Sequence, residues 1–216
     1  MDKIYYERKL PHWQPPCSTF FLTYRLFGSI PKSTIKAIKS LTQSDLEVLI
    51  KIHRDPTLLM SEIYKLQNTY FKRFDKALDD ELNGPYWLRQ PEIASQIYDS
   101  LLFINSKIHI IHAFTIMSNH VHLLLTNYDT HKPLYRLMQS HKSFTAKQCN
   151  KILGRSGPFW EEESYDHFVR KPGEFQRITQ YIIMNPVKAK QVTNWQDWPW
   201  TYVKNKNNGS EDEFKK

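Results

Sequence analysis

Two histidines two positions apart could form half of a metal site. His120 and His122 stand at the start of an apolar run, with Val121 between them. Residues two apart in a strand project from the same face, so both imidazoles would lie side by side. Two neutral imidazoles suit a divalent ion. Taken alone, the pattern favours a hydrogen-bonded pair on a half-exposed face, because motifs this short occur often by chance.

A tyrosine and an asparagine could supply the other half. Tyr181 and Asn185 lie four apart in a predicted helix over residues 174–184, which puts them on one helical face. An amide oxygen is a good ligand for Mg²⁺ or Mn²⁺, and the neighbouring phenol would face whatever that metal holds. Taken alone, this pattern also fits a tyrosine on an apolar stripe with Phe175 and Ile178.

Strands are predicted to carry the histidines. Extended segments are expected at residues 18–27, in a hairpin over residues 108–127 that turns at Ser118 and Asn119, and at residues 165–170. Val121 should point into the core with Leu123 and Leu125. Strands that alternate with helices and include a hairpin predict an α+β fold, with helices packed on an antiparallel sheet.

Helices are predicted between these strands. One begins at Ser33, a second opens at Thr42 and Gln43, a third begins at Pro91, and a fourth covers residues 132–152. The expected buried positions of the fourth helix are Leu134, Leu137, Met138, Phe144 and Ile152. The last helix should end by Asn185 or soon after, because the residue before a proline avoids the α region and residue 186 is proline.

The ends of the chain differ in composition from its body. Residues 1–16 read as an arm and residues 204–216 as a disordered tail, because both are polar. Trp195, Trp198 and Trp200 precede the tail and should pack against the body, since exposed indoles are costly.

The charge points to an anionic partner. The 30 Lys and Arg exceed the 22 Asp and Glu, which gives a net charge of +8. Two isolated cysteines predict neither a thiolate zinc site nor a disulfide framework. No stretch is apolar enough to span a bilayer, and the charged N-terminus does not resemble a secretory signal. Nucleic acid is therefore the leading partner, and a cytoplasmic, nucleoid-associated location is expected.

Several segments together resemble one known family. FTIMSNHVHLLL resembles the His-hydrophobic-His signature of the HUH single-strand DNA transposases, and YIIMNPVKA resembles the tyrosine helix of their REP-associated branch. RKLPHWQPP, NGPYWLRQPEIA and FWEEESYDHFVR resemble further segments of that branch in the same order, so the likeness extends from about residue 8 to residue 200. Ser118 departs from the pattern, because the family usually has proline there.

The resemblance implies a function and its residues. His120 and His122 match the metal-binding pair, Asn185 the third protein ligand and Tyr181 the nucleophile. The implied protein is an Mg²⁺- or Mn²⁺-dependent endonuclease and transposase that forms a 5′-phosphotyrosine at single-stranded, hairpin-containing DNA, as a monomer or homodimer. The implied fold is a ferredoxin-like core over residues 17–203, a single domain with a helical insertion at about residues 33–105.

Further residues could contact DNA. Candidate phosphate contacts are Lys32, Lys36, Lys142 and Lys147, and candidate base-stacking residues are Trp13 and Trp87. Solvated helix faces and core packing explain the same residues. A base for the Tyr181 proton is not identified, although His167 and the glutamates at residues 161–163 are candidates.

Three other functions fit the same sequence. One is a catalytically silent DNA-binding protein of the same fold, and another is a metal-dependent nuclease that uses water. The third is a structural nucleoid or RNA-binding protein, whose binding would need neither a metal nor His120.

Overall fold

A computed structural model of the chain describes residues 5–7, 11–13, 15, 17–80, 84–131 and 133–204, and the side chains among these from residue 15 onward. The strands are β1 (Tyr5–Glu7), β2 (Pro11–Trp13), β3 (Ser18–Arg25), β4 (His109–Ile116), β5 (His120–Asn127), β6 (Tyr165–Phe168) and β7 (Thr201–Val203). The helices are α1 (Lys32–Ile52), α2 (Pro56–Asp79), α3 (Pro91–Ile104), α4 (Leu134–Ile152) and α5 (Glu174–Lys188). Short 3₁₀ helices cover Trp87–Arg89 and Trp195–Asp197.

The predicted α+β class is confirmed by a five-stranded antiparallel sheet. Its strand order is β6-β3-β5-β4-β7. From β3 to β6 the main unit runs β-α-β-β-α-β, with α3 and α4 as the crossovers, which is the ferredoxin-like order. β1 and β2 pair separately with each other.

The chain divides into two compact units. One contains Met1–Arg25 and Trp87–Lys216, and the other is Leu26–Tyr86, in which α1 and α2 pack on each other. The segment expected as an insertion, residues 33–105, is therefore divided, because α3 belongs to the first unit. The predicted arm, residues 1–16, contains the β1–β2 pair, and the predicted tail lies outside the described residues apart from Lys204. The domain boundaries stay a prediction.

The predicted β4–β5 hairpin is confirmed. The turn is closed by the Met117 amide, which donates to the His120 carbonyl at 2.8 Å. β5 is the central strand and all eight of its residues are buried. Val121 points to one face of the sheet, as expected, and both histidines point to the other, so both faces of this strand are covered.

The two faces of the sheet carry different helices. The histidine face is defined by His120, His122 and their strand neighbour Thr23, and α5 covers it: Asn185 contacts His122, and the Phe175 ring lies 4.8 Å from that of His112. The reverse face carries Val121, Leu123 and Tyr24. There α3 and α4 pack, with Tyr98 of α3 against Phe114 at 5.1 Å and His141 of α4 bonded to Tyr24.

The helix boundaries correct one prediction and make another more exact. α1 continues through Thr42, so the predicted start of a second helix there is wrong. The second helix starts at Pro56, where the Asp55 carboxylate caps the amides of residues 57 and 58. The last helix was predicted to end by Asn185 or soon after, and α5 continues through Pro186 to end at Lys188, three residues beyond Asn185. A proline removes only one helical hydrogen bond, and the next turn re-forms when the Ala189 amide donates to the Asn185 carbonyl at 2.9 Å.

The buried stripe of α4 differs from the prediction at two positions. Leu134, Leu137 and Met138 are buried as expected, but Phe144 is 53% exposed and Ile152 is 46% exposed. The stripe continues instead through three small or polar side chains, His141, Thr145 and Cys149. Hydrophobicity alone therefore misplaces the face of α4 that meets the sheet.

The C-terminal tryptophans pack against the body, as predicted. The Trp198 indole donates to the Ile116 carbonyl at 3.0 Å, and β7 pairs with β4 at the sheet edge. Within the described part of the chain, no helix combines the length and apolarity that a membrane crossing requires.

Candidate active site

The site begins where β3 and β5 run side by side. His122 is the register partner of Thr23, and its Nδ1 lies 2.8 Å from the Thr23 hydroxyl. His120 Nδ1 lies 2.7 Å from the Asn119 side-chain oxygen. That oxygen can only accept, so the contact favours a proton on His120 Nδ1, and Nε2 of the neutral ring is then an acceptor.

The two Nε2 atoms converge on each other. They lie 3.1 Å apart, and the two residues are 1% and 0% exposed. Two facing lone pairs repel unless a proton or a cation lies between them. The Thr23 hydroxyl can donate or accept, so His122 can adopt either tautomer. The separation is compatible with both nitrogens binding one ion at about 2.0–2.2 Å.

Asn185 of α5 completes the donor set. Its Nδ2 lies 3.2 Å from His122 Nε2, and the residue is 0% exposed. Among the described residues, its side-chain oxygen is buried and has no hydrogen-bond partner. Buried acceptors are nearly always satisfied, so this oxygen fits a ligand for a cation. Two imidazole nitrogens and one amide oxygen suit a divalent metal.

Tyr181 lies beside these ligands. Its ring centre is 5.4 Å from that of His122 and 5.9 Å from that of Phe21. The side chain is half-buried, and the Lys188 ammonium lies 5.6 Å from the ring centre. Residues 181, 185 and 188 share one face of α5, since they are spaced by about one helical turn. The structure thus brings together all four residues that the sequence singled out for chemistry.

Three of the four lysines predicted to contact phosphate are exposed, and the fourth binds backbone carbonyls of its own chain. Lys32 and Lys36 are exposed on α1 of the second unit, and Lys147 is exposed on α4. Lys142 instead donates to the carbonyls of Glu161 and Glu162 at 2.6 and 2.9 Å, so it holds a loop of its own chain.

The predicted stacking residues also differ. The Trp87 ring contacts the Arg155 guanidinium at 4.0 Å and the Phe159 ring at 5.4 Å, and is half-buried. An unpaired base would compete with these contacts. The Trp13 side chain lies outside the described side chains.

His167, a candidate base for Tyr181, is engaged at the start of α5. Its Nε2 lies 2.9 Å from one oxygen of Glu174, and the other oxygen accepts from the amides of Arg170 and Lys171. The buried Glu174 carboxylate therefore ties the first turn of α5 to β6. The contact between His167 and Glu174 therefore fixes the start of the helix that carries Tyr181.

Thr23 and Asn119 are site residues that the sequence did not reveal, and Arg25 is the register partner of His120. Thr23 and Arg25 reach the histidines through a strand pairing that joins residues about a hundred positions apart. Asn119 was recognised only as a turn residue, although its position directly before His120 was a usable signal, because a side-chain acceptor there can fix the tautomer of the ring.

Comparisons with known proteins relate part of the chain to a transposase family. A family model described as "Transposase IS200 like" matches residues 89–185, a segment that contains both histidines, Tyr181 and Asn185. A solved structure of a REP-associated tyrosine transposase bound to a REP hairpin is 15% identical, with a TM-score of 0.48, over 90% of this chain and 82% of that one. Similarity at that level does not by itself establish a common fold. No curated protein sequence matches.

Proposed function

We propose that this chain is a metal-dependent endonuclease and transposase of single-stranded DNA, with Tyr181 as its nucleophile. The match of residues 89–185 to the family model described as "Transposase IS200 like" supports this proposal. The observation that carries the proposal is the convergence, within one chain, of two Nε2 atoms 3.1 Å apart, the Asn185 amide with its nitrogen 3.2 Å from His122 Nε2, and a tyrosine ring against His122. The oxygen of that amide is buried and has no hydrogen-bond partner among the described residues.

His120, His122 and Asn185 would hold the metal, proposed as Mg²⁺ or Mn²⁺. Rotation of the Asn185 amide by half a turn exchanges its nitrogen and oxygen, which would bring the oxygen beside His122 Nε2. When bound, the ion would act as a Lewis acid on the scissile phosphate. Thr23 and Asn119 would orient the two rings, as outer partners of metal-binding histidines commonly do.

Tyr181 would perform the covalent step. Its phenolic oxygen attacks the phosphorus, the bond to the 3′ oxygen breaks, and the phenolic proton passes through solvent or a base to the departing 3′ hydroxyl. The 5′ phosphate remains on the tyrosine. A second 3′ hydroxyl reverses the step, so strands are rejoined without an external energy source. A free phenol has a pKa of about 10, so loss of this proton needs assistance.

The proposed substrate is hairpin-forming DNA of the repetitive palindromic kind. Support comes from the resemblance of YIIMNPVKA and its flanks to the REP-associated branch, and from the net charge of +8. Lys32, Lys36, Lys147 and the tryptophans remain proposed contacts. One chain carries all four chemical groups, which supports action as a monomer, with a homodimer as the alternative.

Covalent trapping tests the proposal. Purified protein is mixed with labelled single strands from the flanks of its own gene and Mn²⁺, then run on a denaturing protein gel. We expect a labelled band at the mass of the protein, absent with chelator and with Tyr181→Phe. Tyr98→Phe is the matched control and should keep the band, because Tyr98 packs on the reverse face.

Two other outcomes would replace the proposal. Cleaved DNA without the band, persisting in Tyr181→Phe, would establish a metal-dependent nuclease that uses water. Retarded DNA with neither cleavage nor adduct, across the whole set of strands, would establish a DNA-binding protein of the same fold.

A further inference from the structure

A buried arginine stands next to the histidine pair. Arg25, the last residue of β3, is the register partner of His120, the first residue of β5. Residues directly opposite each other in an antiparallel pair project from the same face, with Cβ atoms about 4.5–5.5 Å apart. The Arg25 side chain is only 8% exposed. A permanent cation is therefore built into the same end of the sheet as the candidate metal ligands.

A carboxylate faces this guanidinium in the DNA-free protein. Arg25 Nη1 lies 3.3 Å from Glu161 Oε1, and the Glu161 side chain is 23% exposed, so solvent reaches the ion pair more readily from the glutamate. The planar guanidinium fork fits carboxylate and phosphate in the same way. A phosphate that entered from that side could take the place of the carboxylate.

The loop that carries Glu161 is held by its backbone. The Glu161 amide donates to the Arg25 carbonyl at 2.9 Å, and Lys142 binds the carbonyls of Glu161 and Glu162. These bonds do not involve the Glu161 carboxylate. The side chain can therefore turn away from Arg25 without the loop leaving the sheet, as an exchange of carboxylate for phosphate requires.

We infer that Arg25 binds a backbone phosphate of the DNA strand at the active site, and that Glu161 occupies the place of this phosphate until DNA enters. The inference rests on the proposed function for the identity of the substrate. Arg25 stays protonated throughout, so it would neutralise the charge that builds up on the phosphate oxygens without taking part in proton transfer.

A charge-deletion scan tests the inference. Tyr181→Phe protein, which binds without forming an adduct, is titrated with a set of hairpin strands that each carry one neutral methylphosphonate. Among the positions at which the substitution weakens binding, we expect one that depends on Arg25 and weakens binding by about 10–100-fold, as for a hydrogen bond to a charged group. In Tyr181→Phe/Arg25→Gln, all other strands should lose about that factor, and the strand modified at this position should lose little.

Three further variants sharpen the scan. Glu161→Gln should tighten binding of the unmodified strand, because the competing carboxylate is gone. Arg25→Lys should retain part of the effect at the same position, and it replaces Arg25→Gln if that protein does not fold. Lys151→Gln, an equal change of charge on exposed α4 at a lysine that is not a proposed DNA contact, should weaken binding of all strands alike.

The inference is overturned if Arg25→Gln weakens every strand equally, or if Glu161→Gln weakens binding, since either result makes the ion pair structural. Failure of the proposed function is a separate outcome. If the charge-deletion scan succeeds while the wild-type protein never forms an adduct, Arg25 remains a phosphate ligand and the tyrosine mechanism falls.

Discussion

The two faces of the sheet each bury histidine, but they satisfy it differently. On the histidine face, Thr23 binds His122; on the reverse face, the next residue, Tyr24, binds His141 at 2.8 Å. The second nitrogen of His141 meets the Ser100 hydroxyl at 2.9 Å, so both ring nitrogens have a hydroxyl that can adapt to them. On the histidine face, the remaining nitrogens of His120 and His122 converge on each other.

Burial and a lowered pKa therefore do not by themselves identify a functional histidine. Burial, with a smaller contribution from Lys142, lowers the pKa of His141 to about 3. That strong shift belongs to a ring whose hydrogen bonds are complete, which makes His141 a core residue. Two ring nitrogens that converge on each other, and a buried amide oxygen without a partner in the described part of the chain, distinguish the other face.

Loss of a histidine from the histidine face should reduce the rate of adduct formation more than any other change. His122→Ala should slow adduct formation by about 10²–10⁴-fold, because it removes a ligand of an ion worth several kcal/mol to the reaction. The variant also leaves a cavity and deprives the Thr23 hydroxyl of its partner, so the rate is compared per folded molecule. A timed gel assay measures the rate. Unchanged activity in His122→Ala would show that the histidine face is structural too.

The reverse-face counterpart should affect stability instead. His141→Ala leaves a cavity and deprives the buried hydroxyls of Tyr24 and Ser100 of their partner, at a cost of about 3 kcal/mol. A chain of this size should then unfold roughly 6–12 °C lower. Calorimetry measures the loss, and the adduct rate per folded molecule should be retained. A large loss of rate at full stability would give the reverse face a catalytic role.

Added metal should raise the unfolding temperature, and this shift should depend on residues of the histidine face and not on those of the reverse face. Mn²⁺ at a hundred times its dissociation constant should stabilise the DNA-free protein by about 2.7 kcal/mol, or roughly 5–10 °C. His120→Ala should abolish this shift and Asn185→Ala should reduce it, whereas His141→Gln should keep it. A shift that survives in His120→Ala would place the ion elsewhere.

The smallest expected effect is a loss of folding stability at acid pH, which arises from His141 on the reverse face. Between pH about 6.5 and the lowered pKa near 3, unfolded His141 binds a proton that the folded residue does not, so stability falls as the pH falls. The expected slope is at most about 1.4 kcal/mol per pH unit. His112, whose pKa burial lowers to about 4, acts in the same direction. His141→Gln should flatten the curve by about one proton, and an unchanged slope would contradict the assignment.

Local patterns predicted much of the fold and site. The β-rich runs on either side of Ser118 and Asn119 predicted the hairpin, and the strand period put both histidines on one face. The helical period did the same for Tyr181 and Asn185. In each case the relevant spacing lies within one element, where backbone geometry is nearly fixed.

Long-range pairing accounts for most of what was missed. Thr23 and Arg25 reach the histidines through the register of β3 with β5, which no local pattern sets. The buried face of α4 was misplaced because His141 and Thr145 find partners only in the folded chain. The start of α2 is different: Asp55 before Pro56 is a local capping signal, and apolar spacing across α1 obscured it.

Locating the covalent bond tests directly whether Tyr181 is the nucleophile. Trypsin should release residues 178–188 as one peptide, and Tyr181 is its only tyrosine. After reaction with a hairpin strand and Mn²⁺, then nuclease digestion, mass spectrometry should find a 5′-linked nucleotide on this peptide, absent in His120→Ala. A nucleotide on another peptide, or cleaved strands with every peptide unmodified, would contradict the account.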